Sequence, residues 1–344
     1  MIALEHNIKE NILLKDYTTF KIGGQARFFV EVDDLQRLAG VLKWAQECQQ
    51  KIFVLGGGSN LLFMDEGFDG LIIKIINQNI KVEIKNESAV IKCDAGVKLS
   101  QLIATAFKNN LTGLEWAIGI PGTVGGAIRG NAGAFGGEIK DVVQKVRAIN
   151  IKAHKKTKND CLNKIIYPNE ITDCFRNSCN QISQNFNNQD CDFGYRASIF
   201  KENIGLIVWN VEFKLKIGNG KQSKNTAEKF LQQRQSKQPN VTKCPSAGSV
   251  FKNPIVSETI QAKFKDDTGI DSKNNKVPAG WLIKRCDLLG QKIGGAKISD
   301  EHGNFIINTG KATAKDIILL ISIIKTKVRN KYKVTLQEEI CIVH

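Results

Sequence analysis

Residues 53–62 read Phe-Val-Leu-Gly-Gly-Gly-Ser-Asn-Leu-Leu, and this run constrains the chain more than any other. An apolar strand meets three successive glycines, then Ser59 and Asn60, then apolar residues again. Glycine accepts positive φ and carries no Cβ, so the N–H groups of Gly56, Gly57 and Gly58 can approach something bulky. We read the run as serving a ligand rather than packing. A nest of N–H groups beside a serine and an asparagine suits a pyrophosphate. A tight strand-to-loop turn without a ligand is the competing reading, because one glycine-rich loop is a weak signal.

A second segment strengthens the ligand reading. Residues 119–137 read Gly-Ile-Pro-Gly-Thr-Val-Gly-Gly-Ala-Ile-Arg-Gly-Asn-Ala-Gly-Ala-Phe-Gly-Gly. Gly119, Gly122, Gly125, Gly126 and Gly133 leave little side chain to fill a core, and Pro121 fixes φ near the start. Polar side chains are sparse: Thr123, Arg129 and Asn131. Such a stretch suits backbone laid against a large flat ligand. A flexible linker is disfavoured, because Ile118, Ile120, Val124, Ile128 and Phe135 interleave the glycines and flexible linkers are polar. Neither segment is a Gly-x-Gly-x-x-Gly opening a helix after a first strand, so an ordinary Rossmann site is not indicated.

With 344 residues a sizeable core is possible, and about two or three domains are expected. No apolar run of about 18 residues occurs, so no transmembrane helix is expected. The opening Met-Ile-Ala-Leu-Glu-His-Asn lacks a basic segment followed by an apolar core, so no secretory signal is expected. The nine cysteines are an odd count with no Cys-x-x-Cys, which points to free thiols in a reduced cytoplasm. His6, His154, His302 and His344 make no zinc spacing with them, so no metal is expected. The net charge of +15 fits two readings. One is a nucleic-acid or membrane binder. The other, favoured because the lysines form no dense block, is an enzyme with anionic ligands.

Along the chain, Ala26, Phe28, Val30 and Val32 alternate as in a strand. A helix is expected from Asp33, with Gln36 as a capping partner and Leu35, Leu38, Val41, Leu42 and Ala45 on one face. Strands are expected at Ile52–Leu55 and Leu71–Ile75, a hairpin over 80–94, a helix over 99–110 and a strand over Val142–Ile149. Residues 152–190 are polar and read as a poorly ordered insertion. A strand is expected over Gly205–Leu215 and a polar helix over 224–236. A terminal domain then carries a helix from Thr313, with Asp316 closing a capping box, and a last strand over Val334–Val343.

In order, the motifs are Gly56-Gly57-Gly58-Ser59-Asn60-Leu61-Leu62, Gly119-Ile120-Pro121-Gly122-Thr123-Val124-Gly125-Gly126 and Asn131-Ala132-Gly133-Ala134-Phe135-Gly136. Then come Tyr195-Arg196 with Ser198, Gly248-Ser249-Val250-Phe251-Lys252-Asn253-Pro254, Ala279-Gly280-Trp281-Leu282-Ile283 and Leu336-Gln337-Glu338-Glu339-Ile340. With these the chain resembles the UDP-N-acetylenolpyruvoylglucosamine reductases, flavin enzymes of early peptidoglycan synthesis. Arg234-Gln235-Ser236-Lys237-Gln238-Pro239 is similar to the subgroup lacking an extra tyrosine-bearing loop. Two features depart from the family: the length of residues 152–190, and Glu338 where a proline is common.

The resemblance implies an α+β fold. Two α/β subdomains of vanillyl-alcohol-oxidase-like type bind FAD, at residues 1–78 and 79–217, and a C-terminal α+β substrate domain covers 224–344. It implies non-covalent FAD, with pyrophosphate at residues 56–60 and further contacts along 119–133. NADPH would pass a hydride to flavin N5, and the hydride would then reach C3 of UDP-N-acetylglucosamine enolpyruvate. The carbanion character left at C2 needs a cation at the carboxylate and a proton donor, both preorganised. Arg196 is the candidate cation, since a guanidinium grips a carboxylate with two bonds; a surface arginine is the alternative. Ser249 is the candidate proton donor and needs help to act as an acid; a turn serine is the alternative. Glu339 is the third candidate, opposite the face shared by Leu336, Ile340 and Ile342 if the segment is a strand, and Glu338 competes with it. Lys237 and Lys252 are candidate diphosphate contacts; Tyr195 and Asn253 are further candidate substrate contacts. A monomer without nucleic-acid or membrane partners is expected.

Overall fold

The computed structural model describes residues 7–85, 88–151 and 183–344. The fold is α+β, in two compact units. The first comprises Met1–Ile12, Ala26–Gly57 and Asp69–Arg234; the second comprises Leu13–Gln25, Gly58–Phe68 and Gln235–His344. The chain passes from one unit to the other inside the glycine run, after Gly57. No helix among the described residues is long and apolar enough to cross a membrane.

The first unit holds two larger sheets and the two-stranded pair Gly133–Ala134 with Gly137–Glu138. One has the order Lys9–Leu13, Gln25–Val32, Phe68–Ile75, Ile52–Leu55, with Ile52 opposite Leu71 in a parallel pair. A parallel pair needs a crossover or a long connection. Here that connection is residues 56–67, which carry the strand Leu61–Phe63. The helix Leu35–Glu47, which precedes both strands and follows Gln25–Val32 in the chain, buries Leu38, Val41, Leu42, Trp44 and Ala45. It starts one residue later than expected. Asp34, not Asp33, has the extended backbone of a cap, and its carboxylate accepts from Arg37 N at 2.7 Å. Asp33 instead faces Arg37 from 3.8 Å.

The second sheet of this unit is antiparallel, in the order Ser183–Asn187, Val143–Asn150, Leu206–Ile217, Ser88–Asp94, Ile80–Lys85, with Leu111–Thr112 also on Leu206–Ile217. The expected hairpin over 80–94 is its far edge; Asn86 and Glu87 lie outside the described residues. The helix Leu99–Lys108 buries Leu99, Leu102, Ile103 and Ala106, as its spacing predicts. The polar helix spans Gly220–Gln235, four residues earlier than expected, because the Asn219 side chain accepts from Lys221 N and Gln222 N.

The reading of 152–190 as an insertion needs correcting at its end. Ser183–Asn187 is an edge strand, with Phe186 opposite Val146. The Phe186 ring meets Phe200 edge-on at 5.2 Å, and Asn188 donates to the carbonyls of Lys140 and Val143. Ser-Gln-Asn-Phe-Asn has little strand propensity; pairing and one aromatic anchor override it. Residues 152–182, including Cys161, Cys174 and Cys179, lie outside the described residues.

In the second unit the helix Ala314–Tyr332 buries Ile317, Leu320, Ile321, Ile324 and Val328. The expected capping box is present, and Asp65 adds acceptors for Ala314 N and Lys315 N. The last strand is shorter than expected. Only Cys341–Val343 is a strand, parallel to Leu61–Phe63. Strict alternation therefore fails: Cys341 is buried and Ile342 is half-buried.

The edge strand yields a prediction. Phe186→Ala should lower stability by about 1–3 kcal/mol, since it removes a partly buried aromatic anchor. A urea unfolding midpoint unchanged from wild type would contradict the strand's role.

Candidate active site

In the first unit the two glycine segments lie against each other. A Cβ at Gly57 would sit 2.6 Å from Gly122 Cα, and one at Gly56 would sit 2.9 Å from Thr123 Oγ1. In the second unit a Cβ at Gly58, whose φ is +65°, would run into the Tyr17 carbonyl. The glycine run is therefore required by close backbone packing, which corrects the expectation that it serves only a ligand.

The second segment is partly helical rather than laid out flat. Thr123 caps the short helix Val124–Arg129, its hydroxyl accepting from Gly126 N. Val124 N donates to Val97 O and Gly125 N to Ala95 O, and a Cβ at Gly125 would meet the Ala95 side chain at 3.0 Å. Those two N–H groups are thus engaged by the protein. Gly57, Gly119, Pro121 and Gly126 are exposed, with φ of +74° at Gly119 and +115° at Gly122. A surface of backbone edges with almost no side chains fits a flat cofactor carrying a diphosphate.

Asn131 is wholly buried, with φ of +40°. Its amide donates to Gly194 O at 2.8 Å and to Glu138 at 3.1 Å, while its oxygen accepts from Lys140 N at 3.2 Å. Both amide protons are used inside the protein, so Asn131 ties the glycine segment to the 194–197 turn. Ser198 Oγ adds a bond to Arg129 O at 2.8 Å. That turn carries Tyr195 and Arg196 between paired Gly194 and Ala197. Arg196 takes a left-handed backbone, φ +57°, costly for a residue with a side chain. Its guanidinium donates to Gly133 O at 2.9 Å and lies 5.5 Å from the Tyr195 ring centroid.

In the second unit Gly248 has φ +74°, and Ser249 follows it in a bridge to Phe305. Glu339 N donates to Val250 O at 2.7 Å, and Phe251 bridges Glu338. The backbones of Ser249 and Glu339 thus lie on neighbouring segments. Glu338 pairs with Lys325 at 2.7 Å. The Asn60 amide donates to Glu339 O at 3.1 Å, and Ser59 precedes it half-exposed. Asn253 Oδ1 accepts from Ala279 N, at the start of the helix Ala279–Lys284. Lys252 N donates to Gln337 O, and Lys237 is exposed just beyond Gln235.

Two residues that sequence reasoning missed hold the segment that carries Ser249. Buried Asn304 accepts from Phe251 N at 2.9 Å and donates to Phe251 O at 2.8 Å. Asn304 N in turn donates to His302 Nδ1 at 3.1 Å. The only sequence signal was His302-Gly303-Asn304, a turn pattern that says nothing of burial.

Burial holds the His302 pKa below the ordinary histidine value, and its ring stacks edge-on to Phe305. The unfolded chain protonates this ring near about pH 6.5. Between that pH and the depressed native value the unfolded state binds more protons. Stability is therefore full above about pH 6.5 and falls as the pH drops toward the native pKa. Urea midpoints at about pH 7.5 and about pH 5.5 should show this slope in wild type and a flatter one in His302→Gln; equal slopes would contradict it.

The geometry agrees with comparisons to known proteins. A family model described as FAD binding domain matches residues 26–153, and one described as UDP-N-acetylenolpyruvoylglucosamine reductase, C-terminal domain, matches residues 238–343. The reductase of Carboxydothermus hydrogenoformans is 39% identical over 97% of this chain and 93% of its own length. That of Clostridium novyi is 35% identical over 98% and 93%. The crystal structure of the Thermus caldophilus reductase superposes with a TM-score of 0.69 at 30% identity, covering 97% of this chain and 98% of that one. Similarity of this extent, across both units, shows that the chain belongs to the UDP-N-acetylenolpyruvoylglucosamine reductase family, with FAD as its cofactor.

Proposed function

We propose that the chain reduces UDP-N-acetylglucosamine enolpyruvate to UDP-N-acetylmuramate with electrons from NADPH, as a cytoplasmic monomer in peptidoglycan precursor synthesis. The observation that carries this reading is the bonding of the Arg196 turn to residues 129–133, inside the segment that the FAD-binding match covers. In this reading residues 1–78 and 79–217 serve the cofactor and 224–344 the substrate.

When bound, FAD would supply a hydride for C3 of the enolpyruvyl double bond. Gly56 to Asn60, Gly119, Pro121, Gly122, Thr123 and Gly126 present backbone and short polar groups to the cofactor; Gly125, Asn131 and Gly133 hold that surface in shape. Arg196 grips the substrate carboxylate and stabilises charge spreading onto it, its fork already oriented by Gly133 O. Ser249 delivers a proton to C2. Glu339 supports that transfer from the segment beside Ser249, its backbone N–H bonded to Val250 O. Tyr195, Lys237, Lys252 and Asn253 contact the nucleotide sugar.

Anaerobic stopped-flow absorbance separates the two halves of the cycle. Ser249→Ala should leave flavin bleaching by NADPH intact and slow reoxidation by the enolpyruvyl substrate by about 10²–10⁴-fold, the range for losing a positioned proton donor. Arg196→Lys should impair the same second step, since an ammonium cannot reproduce a two-bond grip. Slowed bleaching with unchanged reoxidation in Ser249→Ala would overturn the assignment.

A further inference from the structure

In the second unit Ser249 sits on a short run of backbone pairing that a side chain completes. Ser249 bridges Phe305 on one side, and Phe251 bridges Glu338 on the other. Val250 joins both neighbours: its N–H donates to Asn304 O at 2.9 Å and its carbonyl accepts from Glu339 N at 2.7 Å. The chain that faces Ser249 then turns away at residues 303 and 304, where Phe305 N donates to His302 O at 3.0 Å. Backbone pairing stops there, and the Asn304 amide takes it over. Its oxygen accepts from Phe251 N at 2.9 Å and its nitrogen donates to Phe251 O at 2.8 Å. One buried side chain thus serves both backbone groups of one buried residue, groups that are costly to leave unpaired.

The upstream side of Ser249 is anchored less closely. Asn308 N donates to Pro245 O at 2.8 Å, four residues before Ser249. Between the two lies Gly248, with φ +74°, where a Cβ would meet nothing within 4 Å. Glycine is the freest joint a chain can have. The Asn304 clamp lies two residues downstream, with buried Val250 between. It is therefore the nearer constraint on where the Ser249 hydroxyl points. Asn304 is itself held from behind: its N–H donates to His302 Nδ1 at 3.1 Å, and the His302 ring lies edge-on to Phe305, 4.9 Å between centroids. A proton donor must sit within a hydrogen bond's length of the atom it serves. A displacement of about 1 Å, even one caused far from the chemistry, costs about 10²-fold.

We propose that Asn304 is a positioning residue for proton transfer, fixing Ser249 by completing the backbone pairing of Phe251. The inference rests on the function proposed above, in which Ser249 delivers the proton to C2.

The test is a double-mutant cycle on protein loaded with FAD: wild type, Asn304→Asp, Ser249→Ala and the pair together. A carboxylate at 304 keeps the acceptor for Phe251 N and loses the donor to Phe251 O. Anaerobic stopped flow reads flavin bleaching by NADPH and reoxidation by the enolpyruvyl substrate, each as a rate constant of the folded protein. Asn304→Asp should slow reoxidation by about 10–10²-fold and leave bleaching unchanged. In the Ser249→Ala background the same change should slow reoxidation by no more than about twofold, because residues acting through one group are not additive. Asn304→Ser, whose single hydroxyl cannot serve both groups, takes the place of Asn304→Asp if that variant does not fold. A lowered urea midpoint with wild-type reoxidation would overturn the inference and leave Asn304 a stability residue. Equal slowing with and without the Ser249 hydroxyl would overturn it too. Ser249→Ala reoxidising at the wild-type rate would instead refute the proton-donor reading, and this inference with it.

Discussion

The buried amide of Asn131 is the interaction on which the candidate site depends. One side chain joins three backbones: the glycine segment it belongs to, Gly194 at the base of the Arg196 turn, and Lys140. Each bond alone is worth about 1 kcal/mol, but a buried carbonyl left without its donor costs about 1–3 kcal/mol. The Arg196 turn needs such a brace, because a non-glycine residue at φ +57° persists only where its surroundings insist on it. The bonds from Ser198 to Arg129 and from Arg196 to Gly133 complete the brace. The candidate cofactor surface and the candidate cation are therefore joined through these bonds.

Electrostatics give this construction its purpose. The chain carries 49 basic and 34 acidic residues, and that excess suits a nucleotide-sugar substrate and a diphosphate cofactor, which are both anionic. Several basic groups are committed elsewhere: Lys325 neutralises Glu338, and Lys140 pairs with Glu138 at 2.8 Å. Arg196 is tied to Gly133 O at 2.9 Å and lies over the Tyr195 ring.

Much of this was legible in the residues. Apolar spacing located Leu35–Glu47, Leu99–Lys108 and Ala314–Tyr332 to within a few residues, and Thr313 with Asp316 located the last helix's start. The motifs named Tyr195, Arg196, Ser249 and Glu339 as candidates by resemblance. What stayed hidden depends on long-range partners. Ser183–Asn187 has no strand signature of its own and forms because Val143–Asn150 offers an open edge. The close approach of Gly57 to Gly122 joins residues far apart in the chain, so the packing role of this glycine was hidden beside its candidate ligand role. Asn304 belongs to no pattern of period or charge; only the fold puts it behind the Ser249 segment.

The central claim is that the two glycine segments bind FAD without a covalent link, and one spectrum tests it. Purified protein, reconstituted with FAD and freed of excess by gel filtration, should show visible flavin bands. Denaturation should then release all of the flavin into the filtrate. A protein that remains colourless after reconstitution would contradict the account, and flavin retained on the denatured chain would contradict its non-covalent form.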